Sequence, residues 1–294
     1  MPSIERRSSG YPAVGELVTL VDERAGARVV VAPERGALVT SFRVGEREFL
    51  YMDEATLKDP SKSVRGGVPV LFPSPGKLAD DAFRNRERTY TMKQHGFART
   101  LAWAVEKTAT EPAASVTLAL ESNATTLAQY PWAFRATLTF SLSGPCLRIV
   151  FRVENRSDEE MPYGLGYHPY FAVNDKAGAR IDTRATRAFD NVTKQTGPFH
   201  GFDLTRTEVD LHLVDHGSAE SSLAADGGRI SLKGSPEFSQ WVVWTLTGKA
   251  FVCLEPWTCP GNALNTGERL LRVAPGGARV SWLTLTTDAH GGVA

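Results

Sequence analysis

The sequence predicts an all-β protein made of large, packed antiparallel sheets. Apolar and polar residues alternate in short runs through most of the chain, and helical periodicity is nearly absent. Turn signals separate the runs, with no internal repeat and no Ser/Pro-rich linker, so residues 1–294 are expected to form one domain. At 294 residues the chain is long for a single domain, but β-sandwiches often reach this size.

In chain order, residues 1–14 are expected to be a loosely ordered N-terminal segment. Their two arginines precede no apolar stretch, so they do not read as a secretory signal. Residues 65–75, RGGVPVLFPSP, predict a short apolar strand bracketed by glycines and prolines. Residues 74–93 are polar, charged and poorly periodic, which reads as a binding loop or a solvated excursion. Val116 to Leu120 is a short β-rich run, and Ser122 to Tyr130 is one of the few pieces that could form a helical turn or two. Ala136 to Leu142 alternates Ala, Leu, Phe and Leu with Thr, Thr and Ser. In Cys146 to Glu154, Leu147, Ile149, Phe151 and Val153 share one face. Near the end, Pro275-Gly276-Gly277 reads as a hairpin connection between LLRV and ARVSWLTL, which contains the run Val280 to Leu285.

Composition narrows the function. Lys plus Arg and Asp plus Glu number 33 each, so net charge offers no reason to expect nucleic acid or an anionic membrane as partner. No apolar run approaches the roughly 20 residues of a membrane-spanning helix. Three cysteines, Cys146, Cys253 and Cys259, match no zinc spacing and read as reduced thiols in a cytoplasmic protein. Asn123-Ala-Thr and Asn191-Val-Thr fit the glycosylation pattern but carry little weight without a signal.

Four segments hold residues that do not suit a plain strand. Arg65 opens the first, where its guanidinium fork would match sugar hydroxyls or phosphate. Gln94-His95-Gly96-Phe97-Ala98-Arg99 packs an amide, an imidazole and a guanidinium into six residues. Regular alternation would put Gln94 and His95 on opposite faces, so a bend at Gly96 is expected. In Gly164-Leu-Gly-Tyr-His168-Pro-Tyr-Phe171, Pro169 biases His168 to extended backbone, and the aromatics could wall a pocket. A histidine can move a proton near neutral pH. In Phe251-Val-Cys-Leu-Glu255-Pro-Trp257, an apolar strand runs straight into a carboxylate, which is costly unless it is paired or used. Each segment alone also has a plain structural reading: a surface arginine, a core histidine, a solvated acid.

Together and in this order, Arg65 to Pro73, Gln94 to Arg99, Gly166 to Phe171 and Glu255 to Trp257 resemble the aldose 1-epimerase, or galactose mutarotase-like, family. The similarity is to a bacterial branch related to hexose-6-phosphate mutarotases, and it spans roughly residues 15 to 286. The resemblance implies a β-supersandwich with an open sugar cleft and neither metal nor organic cofactor. It implies Glu255 as catalytic base and His168 as catalytic acid, with Arg65, Gln94, His95 and Arg99 as substrate contacts. The family's sugar-binding aspartate falls in residues 202–213, where Asp210 is favoured over Asp203.

Mutarotation needs the anomeric hydroxyl to lose a proton and the ring oxygen to gain one. An ionised carboxyl and an imidazolium would supply both, each worth about 10²–10⁴-fold. A zinc hydrolase built on the histidines and Glu255 is weaker, because no close HxH or HxxxH spacing occurs. A glycoside hydrolase would need two facing carboxylates, with Asp210 as possible partner to Glu255. A non-catalytic sugar-binding protein would not need both an acid and a base. The expected partner is an aldohexose, slightly favoured over its 6-phosphate, although Lys77, Arg84, Arg86 and Arg88 could add positive charge. The protein is expected as a monomer or weak dimer.

Overall fold

The computed structural model describes residues 1–288, so the last six residues of the expected domain lie outside the described part. Three large sheets dominate, and every pairing within them is antiparallel. A five-stranded sheet runs in the order Pro2–Ser8, Glu16–Asp22, Ala27–Ala32, Leu38–Val44, Arg47–Glu48. A first eight-stranded sheet runs Arg180–Asp182, Glu220–Ala225, Gly228–Gly234, Ala278–Thr287, Cys146–Asn155, Phe134–Ser143, Ala114–Glu121, Ala104–Ala109. A second runs Gln195–Pro198, Arg187–Asp190, Glu208–Leu213, Gln240–Leu246, Phe251–Trp257, Gly166–Tyr167, Val70–Leu71, with Tyr170–Ala172 also paired to Phe251–Trp257.

Period-two patterning sets the faces. Ala136, Leu138, Phe140 and Leu142 are fully buried, as are Leu147, Ile149, Phe151 and Val153 one strand away. Each large side chain buried this way contributes about 1.5–3 kcal/mol of transfer free energy. One continuous core runs from Val18 to Leu285 and draws on all three large sheets. Its aromatic centre is Phe72, whose ring centroid lies 5.3 Å from those of Phe134 and Phe151 and 5.7 Å from that of Tyr163. The short helix appears at Ala124–Gln129, where Asn123 accepts from Thr125 N and Thr126 N while the Thr126 hydroxyl accepts from Asn123 N. No helix among the described residues is long and apolar enough to cross a membrane.

Three expectations are corrected. Pro2–Ser8, placed in a loosely ordered segment, is a full edge strand in register with Glu16–Asp22, because backbone pairing needs no apolar pattern on an exposed edge. Pro275-Gly276-Gly277 is a turn but not a hairpin: Leu271–Val273 pairs with Met161–Tyr163, whereas Ala278–Thr287 pairs with Cys146–Asn155 and Gly228–Gly234. Asn155 stabilises this change of sheet by donating from its amide to Val273 O and Glu159 O at 2.8 and 2.7 Å. Residues 74–93 are not irregular throughout. Ala82–Asn85 and Arg88–Thr91 form a two-stranded hairpin, and Phe83 stacks between Tyr90 and Trp132.

Candidate active site

A cleft of about 820 Å³ opens on one face of the second eight-stranded sheet. Three neighbouring strands build its floor by alternation. In Glu208–Leu213, the residues Val209, Leu211 and Leu213 enter the core, so Glu208, Asp210 and His212 face the cleft. In Gln240–Leu246, Trp241 and Val243 go inward while Gln240, Val242 and Trp244 line the cleft. In Phe251–Trp257, Val252 and Leu254 go inward while Glu255 and Trp257 line it. Antiparallel register places Asp210 opposite Trp244 and Val242 opposite Glu255.

Arg65, Gln94, His95, Arg99, His168, Asp210 and Glu255 all line this one cleft. The segments that carry them are tied together by backbone. His168 N donates to Pro69 O at 3.0 Å, and Gly166–Tyr167 pairs with Val70–Leu71. Phe72 O accepts from Phe97 N and Ala98 N, at 3.1 and 3.2 Å. The expected bend is present: His95 and Gly96 both take positive φ, at 73° and 68°. It brings Gln94 and His95 into the same cleft rather than onto opposite faces. A Cβ at position 96 would sit 2.2 Å from Phe72 O, so the bend requires glycine.

His168 and Glu255 form the central couple, with Nε2 to Oε1 at 3.3 Å. Glu255 is only 1% exposed, and its other oxygen accepts from Trp257 Nε1 at 3.2 Å. The His168 ring stacks on Tyr170 at 4.7 Å and 9°. Burial, and then the Asp210 charge, push Glu255 well above the usual carboxylate range. Burial, with His95 and Arg99 nearby, pushes His168 well below the usual imidazole range. Burial thus favours the neutral carboxyl beside the neutral imidazole, the reverse of the ionised pair expected for the working state. The two forms hold the same number of protons and differ by one transfer across the 3.3 Å contact.

The neighbours are neutral or anchored. His95 lies with Nδ1 against Pro75 O, and burial holds it neutral, lowered to about 3. Asp210 accepts from Asn191 Nδ2 at 2.7 Å and contacts His212 Nε2 at 3.4 Å. Burial raises its carboxyl, but these hydrogen bonds more than offset that and leave it below the ordinary value. Asp203 is exposed outside the cleft, bonded to Thr205, so the geometry separates the two aspartates. The Arg65 guanidinium lies 5.0 Å over the Trp244 ring. Arg99 Nε is buried without a hydrogen-bond partner among the described residues. Of the charged residues in the 74–93 stretch, Lys77 reaches the cleft. Arg84 and Arg86 line a separate groove, where Arg86 pairs with Glu159.

Sequence reasoning missed Glu208, Asn191, His212, Gln240, Trp244 and Arg269, all in the cleft lining. The alternation of Glu208, Asp210 and His212 with three apolar residues was the available signal. Asn191, which fitted a glycosylation pattern, instead spends its side chain on Asp210. His168, Cys253 and Glu255 have ligand-type atoms within 4.8 Å of one another, the one such group among the described residues. Burial pushes the Cys253 thiol well up, so the free thiol keeps its proton.

An antiparallel sandwich with such a cleft has the architecture of the galactose mutarotase-like proteins. One of these, from Clostridium acetobutylicum, matches over 98% of both chains with a TM-score of 0.81 at 18% identity, a likeness of fold alone. The Slr1438 protein from Synechocystis sp. PCC 6803 matches over 92% of this chain and 94% of its own, with a TM-score of 0.89 and 38% identity. A protein from Cenchrus ciliaris, provisionally named a glucose-6-phosphate 1-epimerase, is 26% identical over 75% of this chain and 72% of its own. The sequence profile described as Aldose 1-epimerase matches residues 16–286, and the chain belongs to that family of isomerases.

Proposed function

We propose that the protein interconverts the α and β anomers of an aldohexose, with Glu255 as base and His168 as acid. The observation that carries this is the buried Glu255–His168 couple, with 3.3 Å between its facing atoms, on the floor of a sugar-sized cleft rimmed by hydrogen-bonding groups. Glu255 takes the proton of the anomeric hydroxyl while His168 gives one to the ring oxygen. The ring opens, the carbonyl end rotates, and closure on the other face reverses both transfers. Arg65, Gln94, His95, Arg99 and Asp210 hold the sugar's hydroxyls. A neutral His95 with Nδ1 engaged by Pro75 has Nε2 as its acceptor, which the Gln94 amide Nε2 approaches at 3.3 Å, so a sugar hydroxyl would share or replace that contact. The paired carboxylates of a glycosidase would sit about 5–9.5 Å apart, whereas here the close partner of the carboxylate is an imidazole. The three free cysteines, two of them buried, fit a cytoplasmic setting.

The couple works only while it holds one proton. Below its first macroscopic step both groups are protonated and no base remains; above the second both are deprotonated and no acid remains. A bell-shaped dependence of kcat on pH is therefore expected in polarimetry of a freshly dissolved anomer. A flat profile between about pH 4 and 9 would contradict the pairing. Asp210→Asn is expected to raise KM about tenfold and to move the pH profile to lower pH with the maximal kcat little changed. Its hydrogen bonds to hydroxyls are the same in ground and transition state, while its charge helps hold the Glu255 carboxyl up.

A second reading, a hexose 6-phosphate as substrate, is favoured by one observation. Arg65, Arg99 and Arg269 line the cleft with no carboxylate ion pair among the described residues. Conversion rates of glucose, galactose and glucose 6-phosphate measured side by side decide between the readings. A kcat/KM for the phosphorylated sugar at least tenfold above the others selects the second.

A further inference from the structure

Trp257 lies two residues after Glu255 on the same strand and therefore on the same face. Its indole N–H donates to Glu255 Oε2 at 3.2 Å, while Oε1 lies 3.3 Å from His168 Nε2. The two carboxylate oxygens are thereby made unequal. One is held by a neutral donor that keeps its proton at any working pH; the other is left to exchange protons. Among the described residues no further hydrogen-bond donor reaches this carboxylate.

The indole is itself fixed. It is 3% exposed and packs with Leu71 and Val242. Its ring stands edge-on to His95 at 6.1 Å and to His212 at 5.4 Å. It rests against Gly166, where a Cβ would come within 2.8 Å of the indole Cδ1, so the glycine two residues before His168 makes room for it.

We propose that Trp257 is the positioning residue of the base: its N–H aligns the Glu255 carboxylate so that Oε1 is the oxygen that trades protons with the sugar. The proposal rests on the acid–base reading above. A donor on Oε2 also favours the ionised carboxylate against the burial that opposes it. Loss of the N–H therefore displaces the pH profile of the couple upward. It also leaves a deficit in kcat above the displaced limb, where orientation alone is missing.

The test compares wild type, Glu255→Gln, Trp257→Phe and a protein carrying β-(3-benzothienyl)alanine at position 257. The last keeps the bicyclic shape and deletes only the donor, so it remains informative if the phenylalanine variant folds poorly. The expected result for the benzothienyl protein is kcat lowered about tenfold, KM within about twofold, and the pH profile moved to higher pH. Wild-type kcat and pH profile in that protein, with Glu255→Gln inactive, would overturn the positioning role and leave the acid–base reading standing. Wild-type activity in Glu255→Gln would overturn the acid–base reading, and the role of Trp257 with it.

Discussion

Glu255→Gln is expected to lower kcat for anomer interconversion by about 10²–10⁴-fold, the usual contribution of a general base. The amide keeps the size of the carboxyl and can still accept from Trp257 Nε1, so the cleft keeps its shape. Stability should move the other way. Burial raises the Glu255 pKa in the folded protein above the ordinary 4.5. The stabilisation linked to that rise is complete below the unfolded value and is lost as pH rises through the folded one. Above that window the wild type bears a cost that glutamine does not, so the variant should unfold at a higher temperature at pH 8 and at the same temperature near pH 4. Polarimetry and thermal denaturation at the two pH values check both halves. A variant with near wild-type rate would remove Glu255 from the mechanism. A variant that melts lower at pH 8 would show that the carboxylate is compensated where it sits.

Phe72→Ala is expected to cost about 3–5 kcal/mol of unfolding free energy, the range for removing a fully buried aromatic ring. The ring is 0% exposed and meets those of Phe97, Tyr130, Phe134, Phe151 and Tyr163. The effect should extend to activity, because Phe72 O holds the turn that presents Gln94, His95 and Arg99. Denaturant titration should show a lower midpoint with an unchanged slope. Where the variant is still folded, KM for the sugar should rise. A loss below about 1 kcal/mol would mean that the neighbouring rings close over the gap.

Much of the fold was legible because its main signal is local. A strand's two faces are written into alternate residues, as in Phe134–Ser143 and Cys146–Asn155, where every residue expected inside is inside. The site was legible where chemistry conflicts with a strand's needs: a glutamate ending an apolar run, a histidine between glycines and a proline. Glu208 and His212 went unread because polar residues alternating with apolar ones look like any solvated strand face. Trp244 and Trp257 went unread as cleft residues because aromatic side chains suit a core equally well.

The amino-acid order by itself determined which side chains share a face, where the chain turns, which acid ends an apolar strand and which imidazole lies between glycines and a proline. Only the tertiary structure decided which strands lie side by side. Pairing joins segments far apart in sequence, and one polar edge strand or glycine turn fits several partners equally well. That choice sends Ala278–Thr287 into a different sheet from Leu271–Val273. The same non-local choice sets residue 168 against residue 255 at 3.3 Å and an indole against the oxygen left over, because the protonation of a buried group depends on everything folded around it.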